Sequence, residues 1–124
     1  MYKKIKEGGI YWYKGNDEDR HDTSKYYLVM SSDDSEISVF AVPLHKKIRR
    51  RYLKEGMILD IPSFGGICTA NCSYVHQLNR FRLGDLIATA PDEMLERVDK
   101  YLESNDTITF VHDVEIWRKE YEQE

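Results

Sequence analysis

Three groups of residues in this chain are of types that do chemistry. The first is a run of cations, Lys46, Lys47, Arg49, Arg50, Arg51 and Lys54, directly after His45. Phosphate fits such a cluster, because each cation meets an anionic oxygen and an arginine can fork onto two at once. Tyr52 and Phe64 flank the run and could stack on bases; the plain alternative is a solvated basic loop. The second group is the stretch Cys72 to Leu83, which reads as a strand. Cys72, Tyr74, His76 and Leu78 fall on one side, and Ser73, Val75, Gln77 and Asn79 on the other. Neither side is purely apolar. An unpaired buried polar group costs about 1–3 kcal/mol, so a cleft, ligand or interface is expected there, with a wet edge strand as the alternative. The third group is Cys68, Cys72 and His76, a ligand stripe if the segment were helical. Thr69, Tyr74 and Val75 favour a strand instead, and no fourth ligand accompanies them, so no metal site is expected. On one strand the two cysteines lie about 13 Å apart, too far for a disulfide. They read as a reduced, cytosolic pair.

Short strands must position these groups. Gly8–Tyr13 is aromatic and β-branched. Lys25–Ser31 and Glu36–Val42 flank the turn Ser32-Asp33-Asp34-Ser35 and read as a hairpin, with Pro43 ending its second strand. Met57–Ile61 is stopped by Pro62, and Ser63-Phe64-Gly65-Gly66 is a turn. One long central strand follows, from about Cys68 to Asn79. Gly84 breaks the chain before a short strand at 85–89. The clearest helix begins with Pro91 at its first position, with Asp92 and Glu93 in the positive first turn. Met94, Leu95, Val98, Tyr101 and Leu102 recur at helical spacing, which lays one apolar stripe on the sheet, and Asn105 ends it. Thr107–Val111 alternates like a strand, while Val114, Trp117 and Tyr121 repeat like a short amphipathic helix. That tail is expected to dock on the body or on a partner.

A length of 124 residues suits one domain, and 41% hydrophobic content suffices for one core. The net charge of −4 argues against a general coat of positive charge but leaves room for a local basic groove. The charged start Met1-Tyr2-Lys3-Lys4 has no apolar run behind it, so neither a signal peptide nor a membrane span is expected, and the protein reads as cytoplasmic.

In order and content these segments resemble the PemK/MazF family of toxin endoribonucleases. Lys6–Trp12 looks like the family's opening strand, and Lys25–Ser31 like its second. Val42-Pro43-Leu44-His45 looks like the third strand with its ending. Cys72–Leu83 followed by Pro91–Leu102 resembles the family's fourth motif and its final helix. The likeness covers about residues 6–104. Carried over residue by residue, it places Lys25 at the family's catalytic Arg, His45 at its Thr, Ser73 at the acid of the fourth motif and His76 at the Arg of that motif.

The resemblance implies a mainly β fold, an SH3-like antiparallel barrel with one packed C-terminal helix, over residues 1–106. The tail after Ser104 has no counterpart in the short family members, and residues 107–124 are expected to form an extra C-terminal element packed on the body or the dimer partner. The resemblance also implies a homodimer that cuts single-stranded RNA without metal or cofactor. The 2′-hydroxyl attacks the adjacent phosphorus and leaves a 2′,3′-cyclic phosphate. His45 and His76 suit base and acid near neutral pH. Lys25 and Lys46 would hold phosphate oxygens, and Ser73 would donate a hydrogen bond. Lys46, Lys47, Arg49, Arg50, Arg51, Gln77 and Arg80 would bind RNA. A cognate antitoxin, a protein rather than an RNA, would fill the groove with an acidic segment. The alternative is a member of the same fold that binds RNA without cutting it, or a CcdB-like binder acting through an apolar patch around Trp117 and Tyr121.

Overall fold

The computed structural model describes residues 4–13, 26–46, 56–105 and 107–112. Its frame is the strand β3 (Ser38–His45), in which every second residue serves a different core. Val42 and Leu44 face one buried cluster, together with Ile10, Leu28, Leu59, Ile61, Cys68 and Ala70. Val39 and Ala41 face another, together with Tyr11, Tyr13, Tyr27, Val29, Leu78 and Leu83. A period of two in the backbone divides the side chains this way. Both faces of the central sheet are therefore covered.

Around β3 lie β1 (Gly9–Tyr13), β2 (Tyr26–Ser32), β4 (Gly56–Ile61), β5 (Gly66–Asn71), β6 (Tyr74–Asn79), β7 (Leu83–Thr89) and β8 (Thr109–His112), with the helix α1 (Asp92–Ser104) before β8. The sheet runs β4-β5-β3-β2-β1-β7, and β6 joins β3 to β8. All pairings are antiparallel except the parallel pair β6–β8. The architecture is mainly β with one helix, consistent with an SH3-like barrel. Among the described residues the sheet is not closed, since β4 and β7 lie at opposite ends of its path.

Four local expectations are corrected. Pro43 does not end β3. On the side away from β2, β3 pairs with β6 up to Ala41 and with β5 from Leu44. Pro43 falls in the handover, where a residue without an N–H costs that side no ladder bond. The single strand from Cys68 to Asn79 is two, split at Cys72 and Ser73. From Ala70 to His76 the chain takes six steps while β3 takes three, from Leu44 to Ala41. The excess loops out and turns Cys72 into the first core, off the side that Tyr74, His76 and Leu78 share. Gly84 does not break the chain but lies within β7, at an irregular register between Tyr11↔Leu86 and Tyr13↔Leu83; glycine suits such a bulge. Pro91 caps the helix rather than opening its first turn, its carbonyl accepting from the amides of Met94 and Leu95.

The helix seals the first core. Val98 is fully buried, and Met94, Leu95, Tyr101 and Leu102 pack on the same cluster. After Asn105, whose Oδ1 accepts from the amide of Thr107, the chain returns to the sheet, and the amide of Thr109 donates to the carbonyl of Ser73. Among the described residues no helix is long and apolar enough to cross a membrane.

The β2–β3 turn is tied from inside. Arg80 is fully buried. Its Nε donates to the carbonyl of Glu36 at 2.9 Å, Nη1 to Asp34 Oδ1 at 3.2 Å, and Nη2 to Ser32 Oγ at 2.9 Å and to the carbonyl of Asp33. Within the same turn Asp33 accepts from the amide and hydroxyl of Ser35, which holds its carboxyl below the usual range. Arg80→Met keeps the stem but strands these acceptors. It is expected to cost about 2–4 kcal/mol, read as a lower urea midpoint with an unchanged slope.

Candidate functional site

The end of β3 carries His45 and Lys46 out of the core. Ala41, Pro43 and His45 share the face of β3 opposite Val42 and Leu44. Ala41 is the partner of His76 across the β3–β6 ladder. His45 and His76 thus lie on one face of the sheet, four residues apart along β3, or about 13 Å. Tyr27 belongs to the same face, opposite Pro43.

The two histidines differ in setting. His45 is half-buried, and its ladder partner is Thr69, a polar residue with no exposed surface. His76 is only 4% exposed. Its ring meets that of Tyr27 edge-on, with centroids 5.1 Å apart, and Tyr74 stands at the rim, 6.4 Å away and 41% exposed. Ser73 lies half-buried in the turn just before β6, its amide donating to Asn71 Oδ1 at 3.3 Å.

Lys46 takes the other side of the strand end. Its Nζ lies 5.1 Å from the centroid of the Tyr26 ring and 5.2 Å from that of Phe64. Tyr26 in turn meets Trp12 at 5.1 Å and Phe64 at 5.3 Å, both edge-on. The result is a chain of three rings, two of which, Tyr26 and Phe64, lie under one exposed ammonium. A cation over a ring contributes about 0.5–1 kcal/mol at an exposed site, enough to hold Lys46 at the strand end but little enough for a phosphate to compete.

The remaining sequence-derived site residues are dispersed. Gln77 points to the face of β6 opposite His76, where its Nε2 donates to Ser38 Oγ at 2.9 Å. Arg80, counted from sequence with the RNA-binding cations, is the buried tie described above rather than a surface charge. Lys25, Lys47, Arg49, Arg50, Arg51, Tyr52, Trp117 and Tyr121 lie outside the described residues. Phe64, read as a possible stacking residue, is buried beneath Tyr26. Sequence reasoning passed over Tyr26, Tyr27, Trp12 and Thr69. The adjacent pair Tyr26-Tyr27 carried a signal, since alternation sends one ring to each face. Tying them to His45 and His76 required the register.

Cys68 and Cys72 are free thiols in the first core, whereas His76 belongs to the opposite face. Among the described residues no group of three or more His, Cys, Asp or Glu comes together in a way that could hold a metal ion. Burial, with a smaller push from the Asp60 carboxylate, raises the Cys68 thiol to about 11. Burial alone raises Cys72 to about 12.

No family model matches the chain, and no curated protein matches it. Solved structures do. An endoribonuclease from Mycobacterial species superposes with a TM-score of 0.59 at 17% identity, over 84% of this chain and 92% of that one. The chain shares its fold. An endoribonuclease in complex with its cognate antitoxin, also from Mycobacterial species, gives a TM-score of 0.59 at 15% identity, over 82% and 93%. Nearly the whole of each such chain thus has a counterpart here.

The thiols give a direct check on this geometry. Below the unfolded value of about 9 they are protonated in both states; above it only the unfolded state ionises readily, so their contribution to stability is lost as pH rises from about 9 toward 12. At pH 8 the folded chain is expected to react with iodoacetamide at least ~100-fold more slowly than the urea-unfolded chain, because the thiolate is the nucleophile. Mass spectrometry of both cysteines reads the rates.

Proposed function

We propose that this chain is the toxin of a toxin–antitoxin pair, an endoribonuclease acting on single-stranded RNA in the cytoplasm. The observation that carries the reading is the fold likeness to endoribonucleases over more than nine-tenths of their length, together with two imidazoles on one sheet face and a cation at its end. His45, half-buried and next to Lys46, takes the proton of the 2′-hydroxyl. The 2′-oxygen attacks phosphorus, and the bond from phosphorus to the 5′-oxygen breaks. For His76 to return a proton to that oxygen, leaving a 2′,3′-cyclic phosphate and a free 5′-hydroxyl, its imidazole must reach back along the sheet toward His45, since the two positions lie about 13 Å apart. Lys46 and Lys25 neutralise the phosphorane oxygens, Ser73 donates a hydrogen bond, and Lys47, Arg49, Arg50 and Arg51 hold the flanking backbone. No step requires a metal.

The same reading gives the partners. A second copy forms a homodimer whose groove spans both subunits, and the element at 107–124 packs on the body or that partner. A cognate antitoxin protein lays an acidic segment along the basic groove. The near-complete burial of His76 favours one competing reading, a domain of this fold that binds RNA without cutting it.

Cleavage of a long defined RNA in the presence of a chelator separates the two. The native chain is expected to make discrete cuts with cyclic-phosphate ends. His45→Ala and His76→Gln are expected to lose about 10²–10⁴-fold in rate, with thermal melting showing that each still folds. Salt-sensitive RNA binding without cuts would give the function to the binding reading. Cuts that persist in both variants would remove the two-histidine site and leave the family assignment standing.

A further inference from the structure

The rings beneath Lys46 have no part in the reaction as written, yet they stand at the strand end that carries His45. Tyr26 opens β2 and pairs with Leu44, the residue before His45. Trp12 pairs with Tyr26 across the β1–β2 ladder. Trp12 and Tyr26 are half-buried, Phe64 is buried behind them, and Lys46 is exposed. The rings of Trp12 and Phe64 meet Tyr26 at interplanar angles of 78° and 74°. Two edge-on neighbours, one of them in the core, fix the plane of the Tyr26 ring. Among the described residues, the ammonium of a long side chain, Lys46, lies over that ring.

We infer that Tyr26, flanked by Trp12, is a stacking platform for one nucleobase of a single-stranded RNA, and that Lys46 covers it only while RNA is absent. This rests on the reading of the chain as an RNA-cutting protein and adds to it a subsite beside the scissile phosphate. A phosphate offers an ammonium a charge-assisted hydrogen bond, which a ring face does not. When the backbone arrives, Nζ moves from the rings to a phosphate oxygen, and the uncovered ring face takes the base. Alternating cations and aromatic faces are what single-stranded nucleic acid requires of a groove, and stacking tolerates any base because every base has a π-face. The subsite therefore selects single strands over duplexes, in which bases are already stacked, and prefers the larger face of a purine to that of a pyrimidine.

The chain has two tryptophans, so Trp117→Phe leaves Trp12 as the single indole reporter. The probes are six-nucleotide oligoadenylate and oligouridylate with 2′-O-methyl groups, which cannot supply the attacking hydroxyl. Their binding is read by fluorescence anisotropy and by Trp12 emission across a salt series. The expected result is quenching of Trp12 on binding, stronger for oligoadenylate. Tyr26→Leu weakens affinity at least ten-fold with its salt slope unchanged. Tyr26→Phe, which keeps the ring, binds within about two-fold of the parent. Lys46→Met lowers the slope by about 0.7, the share of one phosphate contact on a single strand. Unquenched Trp12 at saturating RNA would overturn the platform, as would native affinity in a Tyr26→Leu chain shown by melting to be folded. In either case the nuclease reading stands if the native chain still binds and cuts RNA. Failure of the parent to bind either oligonucleotide or a long single-stranded RNA would overturn both.

Discussion

The alternation along β3 is the constraint on which the rest of the molecule depends. Four of its eight residues serve two cores, two on each face, and the strand offers ladder bonds to three other strands. A slip of one residue would send Val42 and Leu44 to the face of Tyr27 and bring Ala41 and His45 into the aliphatic core. Register here is thus enforced by burial on both sides, which is a stronger condition than the one-sided burial of most antiparallel sheets. The same condition places His45 and His76 on a shared face. Their relation follows from packing and needs no special contact between them.

A long strand that changes partner halfway must leave a gap, and this chain fills its gap with residues suited to it. Pro43 sits where no N–H is wanted on that side, and the extra residues around Cys72 and Ser73 are accommodated on the opposing strand. Cys72 caps the first core from that loop as a buried thiol. Arg80 fastens the far end of β3 by holding the turn that precedes it. The strand is therefore pinned at one end by the Arg80 hydrogen bonds, and at the other it carries His45, paired with Thr69, and Lys46 out of the core.

Much of this frame was legible in the residues. The alternating runs at β1, β2 and β4, the Asp/Ser turn, the amphipathic helix and the strand after it are local patterns, and local patterns suffice for them. What was not legible depends on pairing between distant segments. A proline in an extended run reads as a stop unless the partner exchange is known. The segment from Cys68 to Asn79 reads as one strand because each half alternates correctly and nothing at Cys72 marks an excess. Arg80 read as a surface cation because its four acceptors lie in a turn far back along the chain. The site was visible in part: His45, Lys46 and His76 stood out by type. The rings of Tyr26, Tyr27 and Trp12 looked like core aromatics, which by burial they partly are.

The parallel pairing of β8 with β6 has a consequence for synthesis. β6 bears Tyr74 and His76, and its outer edge is covered by a strand that follows the helix, among the last residues described. A chain leaving the ribosome N-terminus first can assemble β2, β3, β5 and β6 well before β8 emerges. Throughout that interval the edge of β6 presents unpaired backbone groups, and any extended segment nearby can pair with it. A chain truncated before Thr109 would carry that open edge permanently. Laying down β8 thus covers this edge of β6 late in synthesis, and until then that edge is open to pairing with other copies.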